Sequence, residues 1–443
     1  MQELQAYRRA FERLPQGINA AEAQAERTIL LSAAVSGGCS AGMEYSDKTE
    51  LFVRATGEKT GMVYTENLQE DARSVLLQAL ENSALAQSAE LMAPADTLTL
   101  ESLPQEREAD ELQQAAAALE AQLKEKLNFV SSLTVSISQR ITAVGVVNTN
   151  GADVSAALER FDVEVHALHR EDPLKSFNEV KAVRSLAEID MDAWVCSMNE
   201  WQQTIRPTGK ITPGEYRAVL SARTVNYVLV TAWQLFSAVC AQNGRSAIGS
   251  QMGQKVFADC ITICDHKEGP GFAAILDAEG TRCRSVTVAE NGVVTGWMHN
   301  LSTAAKDGVS STGNAGRRAL LSGNIHTDMT VIPVCFRLES GRHTLKELIQ
   351  LCGDGVYICE NYDQFHSLNI VTGDFNFPCR AIRIENGQLT EAAEGLVMSG
   401  NVVELLANAE SLGDTQRIEP MAMYSNYAVS SPAMLVSKIR ITG

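Results

Sequence analysis

The chain has 443 residues, 45% of them apolar and 21% charged, with a formal net charge of −17. That length and balance supply ample material for buried cores and exclude a disordered or fibrous chain. The acidic surplus argues against direct binding of nucleic acid or anionic membranes, which need a basic surface to displace counterions.

The N-terminus, MQELQAYRRAFERL, is amphipathic and charged, without an apolar core leading to a cleavage site. The longest apolar run, residues 225–241, carries Asn226, Thr231 and Gln234 and falls short of a membrane span. The ten cysteines contain no CxxC pair and read as buried thiols in a cytoplasmic protein.

Residues 50–67 alternate on both sides of a glycine turn, which predicts a hairpin, and 68–86 repeat with helical spacing. The acidic, proline-containing stretch 95–111 reads as a linker that divides the N-terminal region near 95–110, before a helix over 109–126. Long alternating runs follow over 128–171, with an Asn-Gly hairpin signal at 150–151 and a helical pattern over 182–204. Two prolines and two glycines in RPTGKITPG place a domain boundary near 208, giving regions 1–207 and 208–443. Beyond it, one long helix (about 223–242) is predicted, then mostly strands. Asn291-Gly292 and Asn386-Gly387 mark further hairpins, and short helices fall near 344–352 and 400–410. The fold class is α+β: an N-terminal mixed α/β region followed by a sheet-rich C-terminal domain with one long helix.

KDGVSSTGNAGRR (306–318) concentrates glycines, hydroxyls and an arginine pair, Arg317 and Arg318. It could cradle a phosphate, line a peptide groove or form a solvated turn. The spacing GxxxxGxxG lacks the lysine of a phosphate loop, and no acidic residue stands where a ribose would need one. CDHKEG places Asp265, His266 and Glu268 in one loop that could hold a cation, although such charged loops are commonly just solvated. No GxSxG motif is present, and no cysteine carries a signature of reactivity.

TVNYVLVTAWQLFSAVCAQNGRSAIGSQMGQKVF, the hairpin leading into SSTGNAGR, and TGDFNFPCRAIRIENGQLTEAAEGLVMSGN together resemble the TldD/PmbA family, labelled modulators of DNA gyrase. The resemblance covers most of 30–443 and is densest over 245–415. It implies a protease-like scaffold in which Ser311, Thr312, Gly313, Asn314, Gly316 and Arg317 border a peptide cleft or buttress the sheet beside it. Catalytic members of the family hold zinc with an HExxxH helix and a C-terminal cysteine. Here the matching helix, RTVNYVLVTAWQLFSAVCAQNG, has no His and no Glu, and the C-terminal region has no Cys. The resemblance therefore implies a PmbA/TldE-type chain with no catalytic residue and no cofactor of its own. Zinc is expected only in a TldD-type catalytic partner, and the pair would act on unfolded peptides. A self-dimer that binds peptides without protease activity, and a hydrolase with a relocated metal site at Asp265, His266 and Glu268, are the alternatives.

Overall fold

The computed structural model describes residues 1–86, 90–205, 209–269, 271–317, 329–363, 365–420 and 427–443. Arg206, Pro207 and Thr208 at the expected boundary, Arg318 and His326 lie outside the described residues.

The first half builds a seven-stranded sheet from β1 (Ala20–Ser36), β2 (Cys39–Thr56), β3 (Thr60–Thr65), β4 (Asp96–Leu98), β5 (Val130–Asn148), β6 (Ala152–His169) and β7 (Ser176–Val183). The order is β3-β2-β1-β5-β6-β4, and β7 also pairs with β6. Alternation in β5 buries Leu133, Val135 and Ile137 on one face. Against that face lie α3 (Ala109–Lys126), through Leu112, Ala116, Leu119 and Leu123, and α4 (Met191–Thr204), through Trp194, Met198 and Trp201. Closer to the start of the sheet, α1 (Gln5–Glu12) and α2 (Ala72–Asn82) cover Ala21, Ala23 and Val53.

The helical pattern over 182–204 is shorter than the spacing suggests. β7 runs to Val183, and the helix begins only where the Asp190 carboxylate caps the Ala193 N–H at 3.0 Å. Nor is 95–111 a plain linker, because β4 pairs in parallel with Ala152–Val154 of β6. Strands on both sides of that stretch share one sheet.

The second half has two six-stranded sheets. Its strands are β8 (Gly214–Leu220), β9 (Ile263–His266), β10 (Glu268–Gly269), β11 (Phe272–Ala273), β12 (Val286–Glu290), β13 (Val293–Val294), β14 (Ala315–Gly316) and β15 (Thr330–Val331). They continue as β16 (Cys335–Leu338), β17 (Gly355–Asn361), β18 (Asp374–Glu385), β19 (Gln388–Asn401), β20 (Ala409–Leu412), β21 (Arg417–Pro420), β22 (Ala428–Ser431) and β23 (Met434–Thr442). The sheet orders are β19-β18-β17-β8-β23-β20 and β13-β12-β9-β16-β22-β21, with β10-β11 and β14-β15 as separate pairs. Between the two large sheets runs α5 (Ala222–Ala232), whose Val225, Val228 and Leu229 join Leu220, Ile358, Ile263 and Phe336 in one core.

The expected single helix over 223–242 is broken. After α5 come a tight turn at Trp233–Phe236, an extended Ser237 and a short α6 (Ala238–Gln242). The cause is tertiary. The Met298 N–H donates to Phe236 O, and the Ala238 N–H donates to Met298 O, so backbone bridging there replaces the intrahelical bonds. The Asn-Gly turns at 291–292 and 386–387 have left-handed φ at both residues (48° and 80°, 51° and 71°), as a two-residue hairpin requires. At 150–151 only Gly151 is left-handed, in a three-residue loop between β5 and β6. All ten cysteines are free, and no described helix is long and apolar enough to cross a membrane.

Candidate functional site

The segment 299–317 opens with α7 (Leu301–Asp307), started by a reciprocal cap between Asn300 and Thr303 and stopped by Gly308 in the left-handed region. The chain then doubles back on His299. Thr312 Oγ1 accepts the His299 N–H at 2.7 Å, and Ser311 Oγ donates to His299 O at 3.2 Å. Asn314 Nδ2 donates to Asp265 Oδ2 at 2.6 Å and to Ile332 O at 3.0 Å, while its carbonyl oxygen lies 2.6 Å from Thr312 Oγ1. Two buried carboxylates anchor this turn. Asp265 Oδ1 accepts the N–H groups of Val334 and Cys335, both at 2.9 Å. Asp277 accepts the N–H groups of Glu279, Thr281 and Ala315 at 2.8–3.0 Å.

The hydroxyl and amide groups of Ser311, Thr312 and Asn314 are therefore engaged inward, in holding the turn. The glycines serve the same end. A Cβ on Gly313, where φ is +73°, would meet Arg282 O at 2.6 Å, and one on Gly316 would meet the Ile332 side chain at 2.4 Å.

The turn nonetheless borders a cleft of about 490 Å³ between the N-terminal sheet and the loops of the second half. Gly313, Asn314, Gly316 and Arg317 line it, whereas Ser311 and Thr312 do not. The facing wall comes from β1, β5 and β6, including Gln24, Thr142 and Ala156. No sequence pattern marks that wall, because three separate strands supply it.

Arg317 is 2% exposed. Its Nε donates to Gln24 Oε1 at 3.1 Å, and its guanidinium lies 3.5 Å from the centre of the Phe52 ring. Among the described residues the two terminal nitrogens have no hydrogen-bond partner. Burial, and next the neighbouring Arg54, push its pKa down to about 9, so it remains a cation at neutral pH. Arg54 itself is compensated by Glu22 and Glu90 at 2.5 and 2.7 Å. Across the same interior, burial holds Asp277 and Glu279 well above the usual carboxyl range, and the nearby Asp277 charge raises Glu279 further.

Asp265, His266 and Glu268 do not converge. Strand alternation turns Asp265 into the interior and His266 to the other face of β9. Glu268 is exposed and lies 3.6 Å from Arg184. His266 instead meets Glu339, Nε2 to Oε1 at 2.7 Å, and the Cys264 thiol joins them, the three donor atoms lying within 4.8 Å of one another. Sequence reasoning missed Glu339 because antiparallel pairing of β9 with β16 delivers it from 73 residues away.

Residues 213–443 match the profile of the PmbA/TldA metallopeptidase C-terminal domain. An uncharacterized protein of Methanocaldococcus jannaschii is 24% identical over 289 residues, 64% of this chain and 65% of its own length. A metalloprotease of Methanothermobacter thermautotrophicus is 30% identical over 178 residues, 40% of this chain and 37% of its own. The chain thus spans less than two thirds of the length of these curated relatives. The crystal structure of TldE from Thermococcus kodakarensis superposes with a TM-score of 0.83 at 18% identity, covering 99% of this chain and 100% of that one. At that identity the likeness is one of fold.

Proposed function

The chain belongs to the PmbA/TldD metallopeptidase family, and from that premise we propose that it is the non-catalytic, TldE-like subunit of a two-component peptidase. The observation that carries this reading is the donor set where the family's zinc helix stands. Residues 222–242 hold no His, Asp or Glu, and residues 409–443 hold no Cys or His. In place of an ion, α5 uses Asn226 to tie the fold: its Nδ2 donates to Arg417 O, and its Oδ1 accepts from Ser431 Oγ, both at 2.8 Å. Cys240 is the sole soft donor on that segment, and burial raises its pKa. One thiol cannot replace two imidazoles and a cysteine, so no step of peptide hydrolysis is routed through this part of the chain.

What the chain contributes in this reading is a shaped, cation-bearing cleft. An extended peptide lies between the N-terminal sheet and the Gly313–Arg317 wall, where the buried Arg317 cation supplies positive charge behind the wall to a peptide carbonyl or carboxylate. The TldD-type partner holds the zinc, in the cytoplasm. Native mass spectrometry of the chain co-expressed with an HExxxH-bearing TldD-type chain tests the partnership. A heterodimer is expected. A chain that only self-associates, ignoring the partner, would favour the peptide-binding homodimer instead.

A further inference from the structure

We propose that Cys264, His266 and Glu339, none of which lines the cleft or lies on the family's helix, form a binding site for a zinc-class divalent cation. Three donors of the chemistry that zinc selects — a thiol sulfur, an imidazole nitrogen and a carboxylate oxygen — lie mutually within 4.8 Å. In a zinc site such atoms stand about 3.5 Å apart, a difference that small side-chain rotations close. Mg²⁺ and Ca²⁺ prefer all-oxygen sets, so the thiol and imidazole select against them.

The backbone beneath the donors is fixed. Cys264 and His266 are alternate residues of β9, on the face opposite Asp265. The Glu339 N–H donates to Thr262 O at 2.9 Å, extending the β9–β16 ladder by one step. Supporting groups are also in place. The Thr287 hydroxyl lies 3.0 Å from Cys264 Sγ, and Arg337 Nε lies 3.2 Å from Glu339 Oε2, leaving Oε1 turned toward His266. Such outer partners orient ligands. His266 and Glu339 are each about 30% exposed, so an ion can enter from solvent. Three protein ligands leave a fourth position for water. None of the three lines the cleft.

The test is a titration of Co²⁺ into the metal-free full-length protein, followed by the thiolate-to-cobalt charge-transfer band and the visible d–d bands. The bands are expected to saturate at about one equivalent and to vanish on adding Zn²⁺. Cys264→Ser should abolish the charge-transfer band, and His266→Ala and Glu339→Gln should weaken binding at least ~10-fold. Glu268→Gln should leave it unchanged. A second readout needs no variant: Zn²⁺ should protect Cys264, and not the exposed Cys39 or Cys196, from alkylation mapped by mass spectrometry. Absence of a thiolate band in the folded wild type, a band that survives Cys264→Ser, or alkylation of Cys264 indifferent to zinc would each overturn the site.

Discussion

Arg317 is a side chain whose environment fits poorly with a purely structural role. A buried guanidinium with two nitrogens that no described residue partners is a burden on stability unless something satisfies it. Replacing it by Met keeps most of the packing on Phe52 and removes the orphaned donors. Arg317→Met is therefore expected to leave thermal stability unchanged or raised, while weakening capture of a labelled unfolded peptide measured by fluorescence anisotropy. A loss of more than about 3 kcal/mol would mark the guanidinium as structural. Asp277 makes a different prediction. Because burial raises its folded pKa, and that of Glu279, above the unfolded values, the folded state holds more protons than the unfolded one between about pH 4 and neutrality. Their contribution to stability thus falls as pH rises through that window. Relative to the wild type, Asp277→Asn should lose less melting temperature between pH 5 and pH 8, as calorimetry would read.

At the scale of elements, the turn 308–317 is specified by glycines of two kinds. Gly308 caps α7 with φ +68° and open space around its Cβ position, whereas Gly313 combines φ +73° with backbone contacts at 2.6 Å. Gly308→Ala should cost about 1 kcal/mol, and Gly313→Ala about 3 kcal/mol, by denaturant unfolding. Equal costs would refute the packing role assigned to Gly313. These elements also show what the sequence could and could not disclose. The turns at 291–292 and 386–387 were legible because Asn-Gly encodes a two-residue hairpin locally. The helix 109–126 was legible because its residues are strong helix formers almost throughout. The break at Ser237 was hidden, since Met298, which makes the competing bonds, lies 61 residues further on. The Gly313–Arg317 wall was visible as a motif, but the inward engagement of Ser311, Thr312 and Asn314 depends on Asp265 and His299, which no local spacing connects to them. Glu339 was invisible beside His266 for the same reason.

For the whole molecule, the union of the two halves decides whether the cleft exists. Arg417 on β21 holds Glu179 on β7 at 2.7 Å and Glu419 at 2.7 Å, and Glu179 is 7% exposed. Removing the arginine strands a buried carboxylate that Lys181, 3.4 Å away, only partly compensates. Arg417→Met should cost about 3 kcal/mol, and adding Glu179→Gln should recover part of the loss. The exposed pair of Arg282 with Asp96, at 2.6 Å, also crosses between the halves, yet Asp96→Asn should cost under about 1 kcal/mol. The most direct measurement is cleavage of an unfolded peptide carrying a fluorophore and quencher, by this chain alone, by a TldD-type chain alone, and by the two mixed, each with zinc supplied. The missing donors at 222–242 and 409–443 predict no turnover by this chain alone and cleavage by the mixture. Zinc-dependent turnover by this chain alone, at a rate that survives repurification, would contradict the assignment as a non-catalytic subunit.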